Sequence, residues 1–167
     1  FPGRNFAADI SLVGETGDVI MMLADAMDRR HADHAATCSD RCGKIATINA
    51  ETRKKALAMA DAGAVDPMTK AYVSRCLSDA IAGRAATVFS ELGCPLEPLS
   101  LSEHGSWYQE PHSGGLGWSF PASMGYQLAD KDKLVVATMG DGSYMFANPT
   151  ACHQIAEALE LPVLILV

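Results

Sequence analysis

Short apolar runs alternate with stretches of helical spacing through the second half of this chain. "ATVFSEL" (86–92), "KLVVATM" (133–139) and "PVLILV" (162–167) are strand-length runs, the last two almost uninterrupted Val, Leu and Ile. Between them, residues 119–130 ("SFPASMGYQLAD") and 148–160 ("NPTACHQIAEALE") read as helices. The second of these has Asn148 placed as a cap and Pro149 at its first position. A further helix is predicted over 68–82, after a start signal at Asp66 and Pro67. From residue 66 the order is therefore helix, strand, loop, helix, strand, helix, strand. Buried strands alternating with helices predict an α/β fold: a parallel sheet covered by helices on both faces.

The first half is patterned differently. "DISLVG" (9–14) alternates and suits a short strand. Val19, Met22, Leu23, Ala26 and Met27 then recur at helical spacing over 17–30, with Thr16 available as a cap. A second helix, rich in Ala, Lys and Arg, is predicted from about Ser39 to Ala62, with Gly63 as its stop. Residues 93–115 form an irregular loop of Pro, Gly, Ser and His, and loops of that length in a compact unit are usually functional or disordered.

Composition adds limits. Among 167 residues, 49% are hydrophobic and 20% charged, which is ordinary for a soluble globular chain. A net charge of −7 argues against wrapping a nucleic-acid backbone, although a few backbone N–H groups can still hold an anionic cofactor. No apolar run is long enough to span a membrane, and "FPGRNF" at the start carries no leader pattern. The chain lacks an initiator Met, so it is expected to be processed or cut from something larger. Five scattered cysteines, an odd number, are expected to be reduced thiols in a cytoplasmic compartment.

Two glycine motifs carry the candidate chemistry. Gly140-Asp141-Gly142-Ser143 follows a predicted parallel strand, the end of the sheet where open α/β folds place ligands. Its glycines allow a sharp turn and close approach to an anion, and the Asp141 carboxylate is a hard oxygen ligand for Mg²⁺ or Ca²⁺. A solvent-facing turn would accept the same tripeptide. Ser113-Gly114-Gly115-Leu116-Gly117 precedes the helix at 119. It is no dinucleotide fingerprint, because Phe120 holds the third glycine position, and "GWSFP" is no nucleophile elbow, because Pro121 stands where the closing glycine belongs.

Taken together, "SGGLGWSFPASMGYQLADKDKLVVATMGDGSYMFANP…LPVLILV" resembles the diphosphate-binding domain of thiamine diphosphate enzymes, the superfamily of acetolactate synthase, benzoylformate decarboxylase and pyruvate decarboxylase. The resemblance is specific over 113–167 and extends more loosely to about residue 66. It implies Asp141 as a Mg²⁺ ligand and Gly140, Gly142 and Ser143 as the turn on the diphosphate. Leu116 matches the apolar residue that props the cofactor in its bent, reactive shape, and Gly114, beside Gly115, matches the carbonyl that meets the cofactor's amine. Glu91-Leu92-Gly93-Cys94, after the first strand, matches further diphosphate contacts in a looser alignment. Residues 1–38 then correspond to the strand-helix tail of a central domain, 39–65 to a helical connector, and 66–167 to the first part of the diphosphate-binding domain.

The resemblance also implies two things that this sequence does not contain. The Asn-Asn that closes the metal motif would follow Val167, and the activating glutamate belongs to a pyrimidine-binding domain, for which Glu15 in "VGETG" is no substitute. The full-length parent is expected to be a homodimer or homotetramer acting on a small 2-keto acid with thiamine diphosphate and Mg²⁺. Either it releases an aldehyde or it joins the decarboxylated fragment to a second carbonyl, in the manner of acetolactate synthase. The chain alone is expected to be inert, with an apolar edge at "PVLILV" that invites self-association.

A non-catalytic assembly module derived from such an enzyme is the alternative reading. A haloacid-dehalogenase-like phosphatase is a remoter one, since Tyr144 and Met145 stand where its second Asp is needed and no Asp-x-Asp strand occurs. His31, His34, Cys38 and Cys42 have zinc-ligand chemistry, but on one continuous helix, at about 1.5 Å per residue, they spread over roughly 16 Å. Only a break near Thr37 would let three converge; otherwise they are partly buried helix residues. His104 and His112, flanking Trp107 and Tyr108, are candidates for a substrate pocket or plain surface groups.

Overall fold

The computed structural model describes residues 7–110 and 112–167. The leader-free reading of "FPGRNF" lies outside them. The chain divides into two compact units, Phe1–Asn49 and Ala50–Val167, each considered by itself.

In the described part of the first unit, residues 9–14 form no strand, and Ile10, Leu12 and Val13 are exposed, Val13 by 92%. Alternation is only a local signal. A strand exists through its ladder, and among the described residues of this unit none pairs with this segment. The two helices expected over 17–30 and 39–62 are one, α1 (Thr16–Asp61), so no break marks the boundary expected at 38/39. The joining segment, "HADHAATC", contains neither Gly nor Pro and is rich in Ala, so the helix continues through it. His31 and His34 are therefore exposed along one helix, and among the described residues no group of three or more His, Cys, Asp or Glu side chains is placed to hold a metal ion. That removes the zinc reading, which depended on a break.

The second unit carries the sheet. Four strands, β1 (Ala86–Glu91), β2 (Trp107–Gln109), β3 (Leu134–Met139) and β4 (Leu164–Leu166), pair in the order β2-β1-β3-β4, every pair parallel. The β1–β3 ladder sets Val88 opposite Val136 and Phe89 opposite Ala137. Because side chains alternate across a strand, these pairs serve opposite faces. Ala86, Val88 and Val136 pack with Leu77 of α2 (Lys70–Ala80) and with Ile81, its C-cap residue. Phe89, Val135, Ala137 and Met139 pack with Phe120 and Met124 of α3 (Ser119–Ala129) and Cys152 of α5 (Pro149–Ala158). Helices thus cover both faces, as the apolar runs require.

Three local features depart from expectation. The long loop contains β2, whose Tyr108 ring stacks on Phe89 with centroids 4.9 Å apart. The Gly-Asp-Gly-Ser turn continues directly into a short helix, α4 (Asp141–Phe146), with Gly140 as its N-cap. Asn148 holds the cap position of α5 but does not cap it: it is left-handed (φ 55°) and its side chain makes no capping hydrogen bond. The tight link between α4 and α5 asks for that backbone conformation, which Asn tolerates better than most residues. Elsewhere capping follows expectation, with Thr69 Oγ1 accepting from Tyr72 N at the start of α2. All five cysteines are free, and no helix among the described residues is long and apolar enough to cross a membrane.

Candidate cofactor site

The parallel sheet brings the C-terminal ends of β1 and β3 side by side, Glu91 opposite Met139. Both glycine motifs arrive at this edge. Gly140 and Asp141 leave β3 there, and the 113–117 loop crosses to start α3. Gly117 makes the closest approach. Its φ is +82°, and a Cβ added to it would lie 2.7 Å from the backbone of Phe146 and Ala147, at the end of α4. Gly93 is similarly constrained, since a Cβ would stand 2.6 Å from Thr138 Oγ1.

Asp141 is exposed in the first turn of α4, where a carboxylate is favoured by the helix dipole. Its Oδ1 accepts from Gly142 N at 2.9 Å, which orients the carboxylate while leaving it open to a hard cation. Ser143 is buried, Gly114 and Gly115 are exposed, and Leu116 is 46% exposed. Cys94 is more committed: its N–H goes to Thr138 Oγ1 (3.1 Å), its carbonyl accepts from Ser90 Oγ (2.7 Å), and its thiol is buried. Gly93 edges a cavity of about 240 Å³ with Lys70, Thr138 and Gly140. His104 and His112 are exposed, and Trp107 packs into the α2-side core, so the loop aromatics build the sheet.

Two further residues shape this edge. Lys70 adds a cation to the cavity, its Nζ 2.7 Å from the Leu92 carbonyl oxygen; as the first residue of a helix it carried no distinguishing signal. Glu91 is only 1% exposed and accepts from Gly117 N (2.6 Å) and Ser119 N (2.8 Å). The resemblance places Glu91 only within the loosely matched 91–94 stretch, with no sign that its carboxylate binds the chain's own amides.

Burial pushes the Glu91 carboxyl upward. The Ser119 and Gly117 N–H groups, with smaller help from the Ser143 and Ser119 side chains, outweigh that and hold it below the usual carboxylate value. Glu91 therefore stabilises the fold fully above the pKa it has when unfolded, and loses that contribution as pH falls through the lower folded value. The stability gap between wild type and E91Q, read from urea unfolding, is expected to be constant at neutral pH and to shrink in acid. A gap independent of pH would refute the ionised assignment.

A larger concavity, about 580 Å³, runs along α5 and β4 beside Phe120, His153 and Leu161, and contains none of the motif residues. The motif residues lie at the other place, where a turn of backbone amides, one exposed carboxylate and one lysine meet at a parallel-sheet edge, a donor set of the kind that suits a metal-bound polyphosphate.

Residues 94–167 match the family described as "Thiamine pyrophosphate enzyme, C-terminal TPP binding domain". The match covers less than half of the chain. Thiamine pyrophosphate, the same compound as thiamine diphosphate, is the cofactor that the family's description names, and the four-stranded parallel sheet is consistent with that domain's fold. Relatives of the chain include two rice proteins, from Oryza sativa subsp. indica and subsp. japonica, both named pyruvate decarboxylase 1. Each is 36% identical over 73 residues, covering 44% of this chain and 12% of the relative. Pyruvate decarboxylase 1 of Zea mays is 42% identical over 48 residues, 29% of this chain and 8% of the relative. The chain therefore matches only a small part of these proteins' length. No solved structure matches it.

Proposed function

We propose that this chain supplies the diphosphate- and Mg²⁺-holding part of a thiamine diphosphate-dependent enzyme acting on 2-keto acids, with decarboxylation as its chemistry. The observation that carries the reading is the convergence of the 113–117 loop and the Gly140–Ser143 turn at one edge of a parallel sheet. The relatives' name favours the decarboxylase branch over acetolactate-type carboligation.

When bound, thiamine diphosphate supplies the carbon nucleophile and electron sink that loss of CO₂ from a 2-keto acid requires. The protein's part is to bind and orient. Asp141 would ligate Mg²⁺, the Gly142 and Ser143 amides would meet the diphosphate, Lys70 would neutralise part of its charge, and Leu116 would support the cofactor's bent shape. Mg²⁺ keeps several waters in such sites, so one carboxylate together with phosphate oxygens suffices to place it.

Calorimetric titration of the chain with thiamine diphosphate, with and without Mg²⁺, tests this. Asp141→Ala removes a charge-assisted contact of about 1.5–3 kcal/mol, so affinity in Mg²⁺ is expected to fall roughly tenfold or more. Equal affinities for wild type and variant would overturn the assignment of Asp141.

A further inference from the structure

We infer that Glu91 is a positioning residue that clamps the two glycine motifs into one site. Its carboxylate stands at the end of β1 and reaches out of the sheet. One oxygen takes the N–H of Gly117, the last residue of the glycine loop, and the other takes the N–H of Ser119, the first residue of α3. Neither amide has a partner within the helix, and the N-cap residue, Trp118, gives no side-chain cap. Glu91 thus caps α3 from another element, and the anion-binding end of that helix is already filled by the protein's own carboxylate.

The clamp extends to the second motif. Gly117 lies against the backbone of Phe146 and Ala147, and the Ser143 side chain supports the charged form of Glu91. Leu116 is the residue immediately before the clamped amide, and Ser143 closes the Gly-Asp-Gly-Ser turn. One buried charge therefore sets the spacing between the group expected to prop the cofactor's rings and the groups expected to hold its diphosphate. A carboxylate taken out of water is costly unless paired, and N–H donors on both oxygens offset that cost only in this arrangement of the loop. A neutral amide at this position would present an NH₂ group to one of the two N–H donors and could hold only the other.

This inference rests on the thiamine diphosphate reading for its ligand, but not for its geometry, and the experiment separates the two. Hydrogen exchange followed by mass spectrometry on the full chain reports the amides of 117–119. E91Q is expected to speed their exchange at least tenfold relative to the β1 and β3 amides. E91D, which keeps the charge and shortens the reach, is expected to fall between E91Q and wild type, and it provides the reading if E91Q does not fold. In parallel, Mg²⁺-thiamine diphosphate and Mg²⁺-pyrophosphate are titrated into each form. A clamp on both motifs predicts a larger loss in E91Q for thiamine diphosphate, which needs both, than for pyrophosphate, which needs only the turn. Unchanged exchange at 117–119, or an increase shared equally by the whole sheet, would overturn the clamp. Local exchange that responds while both ligands lose equally would overturn its role in spacing the two motifs. A wild-type chain that binds neither ligand would overturn the cofactor reading, and with it the role of Glu91 in cofactor binding.

Discussion

Phe120→Ala is expected to remove about 3–5 kcal/mol of stability, the largest loss from any single truncation at this site. Phe120 is 1% exposed, and it is the second residue of α3, directly behind the glycine loop. Its ring lies parallel to Tyr144 of α4 at 6.2 Å and edge-on to His153 of α5 at 5.0 Å. Three helices are therefore joined through one side chain on the sheet face that also holds Phe89, Val135 and Met139. Removing the ring leaves a cavity among elements fixed by the β1–β3 ladder, which cannot close on it. In thermal unfolding the midpoint is expected to fall by about 10 °C or more. Phe120→Leu keeps most of the volume and is expected to cost well under half as much. A loss below about 1 kcal/mol for the alanine variant would show that the ring is not part of the packed core.

Gly117→Ala is expected to cost about 2–4 kcal/mol, although it adds only one methyl group. Two penalties combine. An L-residue at φ +82° is strained, and the new Cβ would stand 2.7 Å from the backbone of Phe146 and Ala147, which has no flexible end to move aside. Relief requires the loop to lift from α4, which breaks the Glu91–Gly117 hydrogen bond. Gly125→Ala gives the contrast: it lies inside α3, and an added Cβ meets nothing within 4 Å. There the gain in helix propensity is expected to stabilise the protein by about 0.5–1 kcal/mol. Urea unfolding of both variants checks the difference in sign. Equal shifts would refute the close approach at Gly117.

These effects were not visible in the chain because they depend on who meets whom. The three long apolar segments carried strands β1, β3 and β4, and the spacing between them carried the helices, because a strand buried on both faces must be apolar throughout. The first glycine motif was legible for a physical reason: Gly114 and Gly117 have positive φ, and Gly117 also packs against backbone, whereas Gly140 and Gly142 show neither constraint. Local pattern misled where structure depends on a partner. Residues 9–14 alternate like a strand but have no ladder, and Asn148 looks like a cap but is turned left-handed by the α4–α5 link. The helix α1 runs through a segment that looked like a place for a break, since histidines and cysteines suggest ligands without interrupting helical hydrogen bonds.

By itself, the sequence determined an α/β sheet, strands β1, β3 and β4, and the presence of two glycine motifs, since periodicity and glycine content are properties of the chain alone. Tertiary structure decided that the short Trp107–Gln109 segment joins the sheet beside β1, that Lys70 reaches the cavity at the strand ends, and that Glu91 ties Gly117 and Ser119 together. The physical reason is separation along the chain. Glu91 is 26 and 28 residues away from the amides it binds, and only the parallel pairing of β1 with β3, closed over by α3, brings a charge and its donors together in a place from which water is excluded.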